Sequence, residues 1–92
     1  MVERSMDYDA GSKPLNVYPL SIIEEGKTVK IVKIVGGRGL VRRLYEIGLL
    51  PGAEIQVLRN SKHGPVIIRN SLSGTFSLGF GVAKKIMVEV MQ

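Results

Sequence analysis

Glycines and arginines are concentrated in one segment of the chain, GGRGLVRRLYEIGLLPG, residues 36 to 52. A glycine-rich entry to a helix can bind a phosphate through free backbone N–H groups, and arginine side chains can pair with its oxygens. The phosphate-loop pattern G-x-x-x-x-G-K-S/T is absent from the sequence. The dinucleotide pattern G-x-G-x-x-G begins at Gly37 but has Arg42 at its third glycine position. The sequence therefore disfavours a nucleotide site and leaves a small anion at the helix N-terminus as an alternative.

Metal ligands and catalytic groups are scarce in this composition. His63 is the only histidine, and the chain has no cysteine, which excludes disulfides, thiolate ligands and cysteine nucleophiles. No ligand set with transition-metal spacing can be written down, so a divalent transition metal has only His63 as a candidate ligand. No nucleophile, base and orienting residue are recognisable together. The sequence therefore predicts no cofactor and no enzyme.

The charge is basic, with a formal net charge of +5 that is spread along the chain. A basic domain can bind nucleic acid, an anionic membrane surface or an acidic patch on a protein. Aromatic residues make up only 5% of the chain, which gives nucleic-acid bases few side chains to stack on. No stretch is apolar enough to span a membrane, and the acidic N-terminus does not resemble a signal peptide. Nucleic-acid binding is therefore the alternative function and is disfavoured.

The elements that hold these residues are predicted to be short strands between glycine and proline turns. Alternating apolar residues predict five strands, near residues 28–35, 53–59, 66–69, 75–80 and 86–91. The alternation changes phase at Ile31 and Val32, which predicts a bulge. Single helical turns are expected at residues 82–85 and after an S-x-x-E capping box that begins at Ser21. The predicted fold class is mainly β: a small SH3-like five-stranded β-barrel with one short helix inserted after the first strand. Residues 1–13 are expected to be a flexible tail, and residues 14–92 the barrel domain.

The inserted helix is predicted from apolar residues on one face. Leu40, Leu44 and Ile47 stand at i, i+4 and i+7, so they are expected in the core. Gly48 is placed to end the helix in the left-handed conformation, with Leu49 packing back on Leu44. The glycines before the helix and the Pro-Gly turn after it are then interpreted as its entry and exit.

Taken in order, these motifs resemble the FeoA family of ferrous iron transport proteins. The central motif L-x-R-R-L-x-E-x-G-L-x-P-G runs from Leu40 to Gly52, between Pro-Leu-Ser at 19–21 and A-x-x-I-x-V at 83–88. The resemblance covers about residues 19 to 90. The same SH3-like module ends iron-dependent repressors of the diphtheria-toxin-repressor type, but 92 residues with this pattern are not expected to include their DNA-binding domain.

The resemblance implies a cytoplasmic accessory protein of ferrous iron uptake, held at the inner face of the membrane by its partner. That partner is FeoB, a membrane permease with a cytosolic GTP-binding domain. The oligomeric state stays open, with a homo-oligomer as one alternative. The residues expected to contact the partner are Arg38, Arg42, Arg43, Tyr45, Glu46 and Pro51.

Overall fold

The computed structural model describes residues 16 to 91, so the predicted tail, residues 1–13, lies outside the described residues. The strands are β1 (Val17–Pro19), β2 (Thr28–Ile34), β3 (Glu54–Asn60), β4 (Val66–Asn70), β5 (Gly74–Leu78) and β6 (Ile86–Val90). The helices are α1 (Arg38–Glu46) and α2 (Phe80–Ala83), with a 3-10 turn at Leu20–Ile22. The described part of the chain includes no helix long and apolar enough to cross a membrane.

The strands form one antiparallel sheet in the order β1-β6-β2-β3-β4-β5. The mainly β class is therefore confirmed, and so is a helix inserted after the first predicted strand, now β2. The structure adds a sixth strand, β1, in which Tyr18 pairs with Val88 of β6. Sequence analysis missed this strand because three residues that include a proline show no alternation.

The predicted bulge in β2 is confirmed. Ile31 pairs with Val88 of β6, but the next pair is Lys33 with Met87, so one residue of β2 is extra. An extra residue bends the strand and increases its twist. Val29 and Ile31 before the bulge are buried, and Ile34 after it still packs against the core despite the change of phase.

One hydrophobic core lies inside the curved sheet, and α1 covers one end of it. The predicted inward residues of β3, Ile55 and Val57, are fully buried. The other fully buried large side chains are Leu20, Val29, Ile31, Leu49, Val66, Ile68, Ile86 and Val88.

The first helical turn differs from its prediction. A single turn is present at Leu20–Ile22, but it begins after Pro19 and has no side-chain cap, so the capping box is wrong. Ser21 lies inside the turn and is itself buried. Burial of Leu20 in the core fixes where the turn starts, and this tertiary contact overrides the local capping signal.

Candidate functional site

Helix α1 presents one face to the core and the other to solvent. Leu44 is buried, and Leu40 and Ile47 pack half-buried against the core, as predicted. Since i, i+4 and i+7 share one side of a helix, the residues between them must point outward. The apolar face therefore fixes the orientation of the charged one.

The end of α1 has the geometry predicted for it. Gly48 has a φ of +87°, in the left-handed region. The N–H of Leu49 donates to the carbonyl oxygen of Leu44 at 2.8 Å, and the N–H of Gly48 donates to that of Tyr45 at 3.0 Å. These two bonds define a Schellman ending, and both leucines are buried beside it.

The three glycines at the start of α1 differ in the space that surrounds them. Gly37 is the N-cap with a φ of −75°, which any residue adopts, and an added Cβ at Gly37 or Gly39 would meet no atom within 4 Å. At Gly36 a Cβ would lie 2.7 Å from Cδ2 of Leu40. Of the three glycines interpreted as the entry to the helix, only Gly36 therefore has a close neighbour that disfavours a side chain.

Five of the six predicted contact residues form the exposed side of α1, with Arg43 at its edge beside Leu40 and Ile47. We call this the α1 surface, and its members are Arg38, Arg42, Arg43, Tyr45 and Glu46. A shallow depression on it is lined by all of these except Arg43, together with Gly39 and Val41. The sixth residue, Pro51, is also exposed but lies in the turn after α1.

The charges of the α1 surface contribute unequally to the stability of the helix. Arg38 is its first residue, where the positive end of the helix dipole disfavours a cation, and the first turn has no acidic residue. Arg43 in the last turn is placed favourably. With three arginines against Glu46, the surface is positive and suits an acidic partner.

Two exposed leucines that the sequence did not single out, Leu50 and Leu72, lie beside the predicted contact residue Pro51. Leu50 and Pro51 share a depression with Leu72, which is 95% exposed in the turn between β4 and β5. Leu72 lies about twenty residues from the central motif, and only its isolation among serines, in Asn-Ser-Leu-Ser-Gly, distinguishes it in the sequence. The depression is therefore a product of the fold rather than of one segment.

The predicted metal candidate, His63, lies in the turn between β3 and β4. The centroid of its ring is 5.7 Å from that of the Phe80 ring, and the two rings are tilted. Lys84 Nζ lies 5.5 Å from the centroid of the Phe80 ring. Within residues 16–91, no three histidine or acidic side chains are grouped as a metal site. His63 therefore packs against an aromatic ring, and no group of metal ligands surrounds it within residues 16–91.

We expect His63→Ala to bind Fe(II) as the unaltered chain does, because one imidazole without companion ligands holds a metal weakly. Loss of the contact with Phe80 should lower the free energy of unfolding by about 0.5 kcal/mol. Anaerobic calorimetric titration and urea unfolding measure the two quantities. A variant that loses tight Fe(II) binding would show that His63 is a ligand.

Comparisons with known proteins agree with this architecture. The model of the FeoA domain family matches residues 18–90. A curated protein of Methanocaldococcus jannaschii, named "Putative Fe(2+) transport protein A", is 41% identical over 73 residues, which cover 79% of this chain and 87% of that protein. A crystal structure described as the iron uptake regulatory protein FeoA is 38% identical, with a TM-score of 0.76, over 83% of this chain and all of that one.

Repressors share the fold at lower identity. A manganese-dependent transcriptional repressor, solved in complex with manganese, is 19% identical with a TM-score of 0.78, and the match covers 86% of this chain but 39% of the repressor. This likeness concerns the fold alone, and with the FeoA structure it confirms the predicted SH3-like class. The chain belongs to the FeoA family, as the segment from Leu40 to Gly52 predicted.

Proposed function

We propose that this protein is a small cytoplasmic accessory protein of ferrous iron uptake, and that its α1 surface binds the cytosolic part of the membrane permease FeoB. Membership of the FeoA family supports the connection with iron transport. The observation that supports the location of the contact is the exposed, arginine-rich side of a helix whose other side is fixed in the core.

Arginine and tyrosine suit such a contact chemically. Both are enriched at the energetic centres of protein interfaces, where arginine binds carboxylates through two N–H groups and tyrosine adds a large rigid area. Tyr45 is 47% exposed although it is large and partly apolar. An acidic patch on the permease would thus find both its counter-charges and an aromatic anchor on one helix.

The proposed action requires no reaction on this chain. A bound accessory protein shifts its partner towards whichever conformation it binds more tightly, by no more than the difference between the two affinities. The buried side chains of Leu44 and Leu49 anchor α1 and its ending in the core, so the helix backbone is already in place when the partner binds. The protein therefore acts through differential binding to the states of the permease.

The test is a charge reversal on the α1 surface. Arg42→Glu with Arg43→Glu should weaken binding to the purified cytosolic domain of FeoB at least about 10-fold, since attraction to an acidic patch becomes repulsion. The loss should appear mainly as slower association and should shrink as salt is added. Surface plasmon resonance at low and high salt measures both effects.

The matched control reverses two exposed arginines of the sheet, Arg59→Glu with Arg69→Glu, and changes the net charge equally. It should retain most of the affinity. Equal binding by both double variants and the unaltered chain would remove the α1 surface from the interaction. Equal loss in both, together with salt-dependent binding to generic RNA or DNA, would favour the nucleic-acid alternative.

A further inference from the structure

Leu72 is the most exposed large apolar residue within residues 16–91, with 95% of its side chain accessible. It occupies the turn between β4 and β5, among Ser71, Ser73 and Gly74. A turn of this kind is built from small and polar residues, and a leucine contributes nothing to its geometry. A nearly fully exposed leucine also contributes almost nothing to the core, because it removes little apolar area from water.

The turn that carries Leu72 is held firmly. Oδ1 of Asn70, a buried side chain, accepts hydrogen bonds from the N–H of Leu72 at 2.8 Å and from the N–H of Ser73 at 3.2 Å. Nδ2 of Asn70 donates to the carbonyl oxygen of Gly48 at 3.4 Å. The hairpin tip is therefore tied to the end of α1, and Leu72 is presented in a defined position rather than on a loose loop.

Leu50 and Pro51 form the other side of the same depression, whose volume is about 590 Å³. We call Leu50, Pro51 and Leu72 the leucine patch. Gly48, which ends α1, also lines this depression, so the leucine patch lies at the C-terminal end of the helix that carries the α1 surface. The only charged residue that lines the depression is Glu54.

A surface of this composition fits one kind of partner. The arginines of α1 need carboxylates, while the leucine patch needs an apolar side chain. Resting on the proposed function, we infer that the contact with FeoB extends over the leucine patch, and that the partner presents an apolar side chain beside its acidic residues. The leucine patch is the salt-independent part of the interface, and the arginines are the salt-dependent part.

Leu72→Ser tests this inference with little effect on folding, because the side chain is almost entirely exposed. The variant should bind the cytosolic domain of FeoB about 5- to 10-fold more weakly, mainly through faster dissociation, and equally so at low and high salt. The matched control is Ile22→Ser, at 61% exposure. Ile22 adjoins the turn between β3 and β4, at the other end of β4, and its variant should bind like the unaltered chain.

The outcomes separate the inference from the proposed function. If Leu72→Ser binds like the unaltered chain while the Arg42 and Arg43 reversal does not, the inference is overturned and the proposed function stands. If the unaltered chain does not bind the FeoB domain, both are overturned. Light scattering adds one more outcome: a dimer of the unaltered chain that Leu72→Ser abolishes would assign the leucine patch to a second copy and overturn the inference.

Discussion

Gly48→Ala should lower the free energy of unfolding by about 3 kcal/mol. A φ of +87° costs a residue with a Cβ about 1–2 kcal/mol. The added Cβ would also collide with Oγ of Ser73 and lie 3.3 Å from its Cβ, so the hydroxyl must rotate away and Ser73 must shift by a few tenths of an ångström. Forcing extra atoms into a close contact of this kind costs about 1–3 kcal/mol. Urea unfolding at equilibrium measures the total change in the free energy of unfolding, which is the sum of the strain and the collision.

Alanine substitutions at two other glycines separate the cost of backbone strain from the cost of the collision with Ser73. Gly52 has a φ of +94° but open space around an added Cβ, so Gly52→Ala should cost only the backbone strain, about 1–2 kcal/mol. Gly37 has neither a positive φ nor a close neighbour, so Gly37→Ala should change stability by less than about 0.5 kcal/mol.

Ser73→Ala provides a further check on the collision. With Oγ removed, the cost of Gly48→Ala should fall towards that of Gly52→Ala, because the coupling between two residues in contact appears as non-additivity. If Gly48→Ala is no more harmful than Gly37→Ala, the left-handed ending of α1 and its contact with the hairpin tip are both contradicted.

The ending of α1 could be predicted because its causes are local. Gly48 and Leu49 follow the helix immediately, and the hydrogen bonds they make reach back only three to five residues. The burial of Ile55 and Val57 could be predicted for the same reason, since alternation along a strand is a local property. The exposed side of α1 could be predicted as well, because the spacing of the apolar residues determines which side of the helix faces the core.

The other features depend on residues far apart in the sequence. Leu72 and Leu50 line one depression only because the hairpin of β4 and β5 lies against the end of α1. The start of the first helical turn depends on burial of Leu20, which overrode the capping signal at Ser21. Periodicity along one segment carries no information about either contact.

Asn60 shows the same dependence on distant contacts, in a side chain that joins two parts of the chain. Its Nδ2 donates to the carbonyl oxygens of Ser21 at 2.9 Å and Ile23 at 2.8 Å, across almost forty residues of sequence. Its Oδ1 accepts from the N–H of Lys62 at 2.8 Å. The side chain therefore ties the first helical turn to the hairpin of β3 and β4.

Asn60→Asp should lower the free energy of unfolding by about 3 kcal/mol at pH 7. The substitution keeps the shape and the acceptor for Lys62 but removes both donors, so two carbonyl oxygens lose their partner. Each part-buried group left unsatisfied costs about 1–3 kcal/mol. The new carboxylate would also face those two carbonyl oxygens, which carry partial negative charge.

The loss at Asn60→Asp should depend on pH, because these negative neighbours raise the folded-state pKa of the new carboxyl above its unfolded value of about 3.9. Between those two values the native state binds more protons than the unfolded state, so the stability of the variant relative to the unaltered chain falls as pH rises. At a pH well below about 3.9 the carboxyl is protonated in both states, and its O–H donates one of the two missing hydrogen bonds. The loss there should therefore be smaller, about 1–2 kcal/mol.

Unfolding of the variant and the unaltered chain at both pH values isolates this effect, because all other titrations are common to the two proteins. Asn16→Asp, at an exposed position before β1, adds the same charge and should change stability little at either pH. A loss at Asn60→Asp that is equally large at both pH values would show that the carboxyl meets no negative neighbours. No loss at pH 7 would show that the two hydrogen bonds from Nδ2 do not hold the first helical turn against the hairpin.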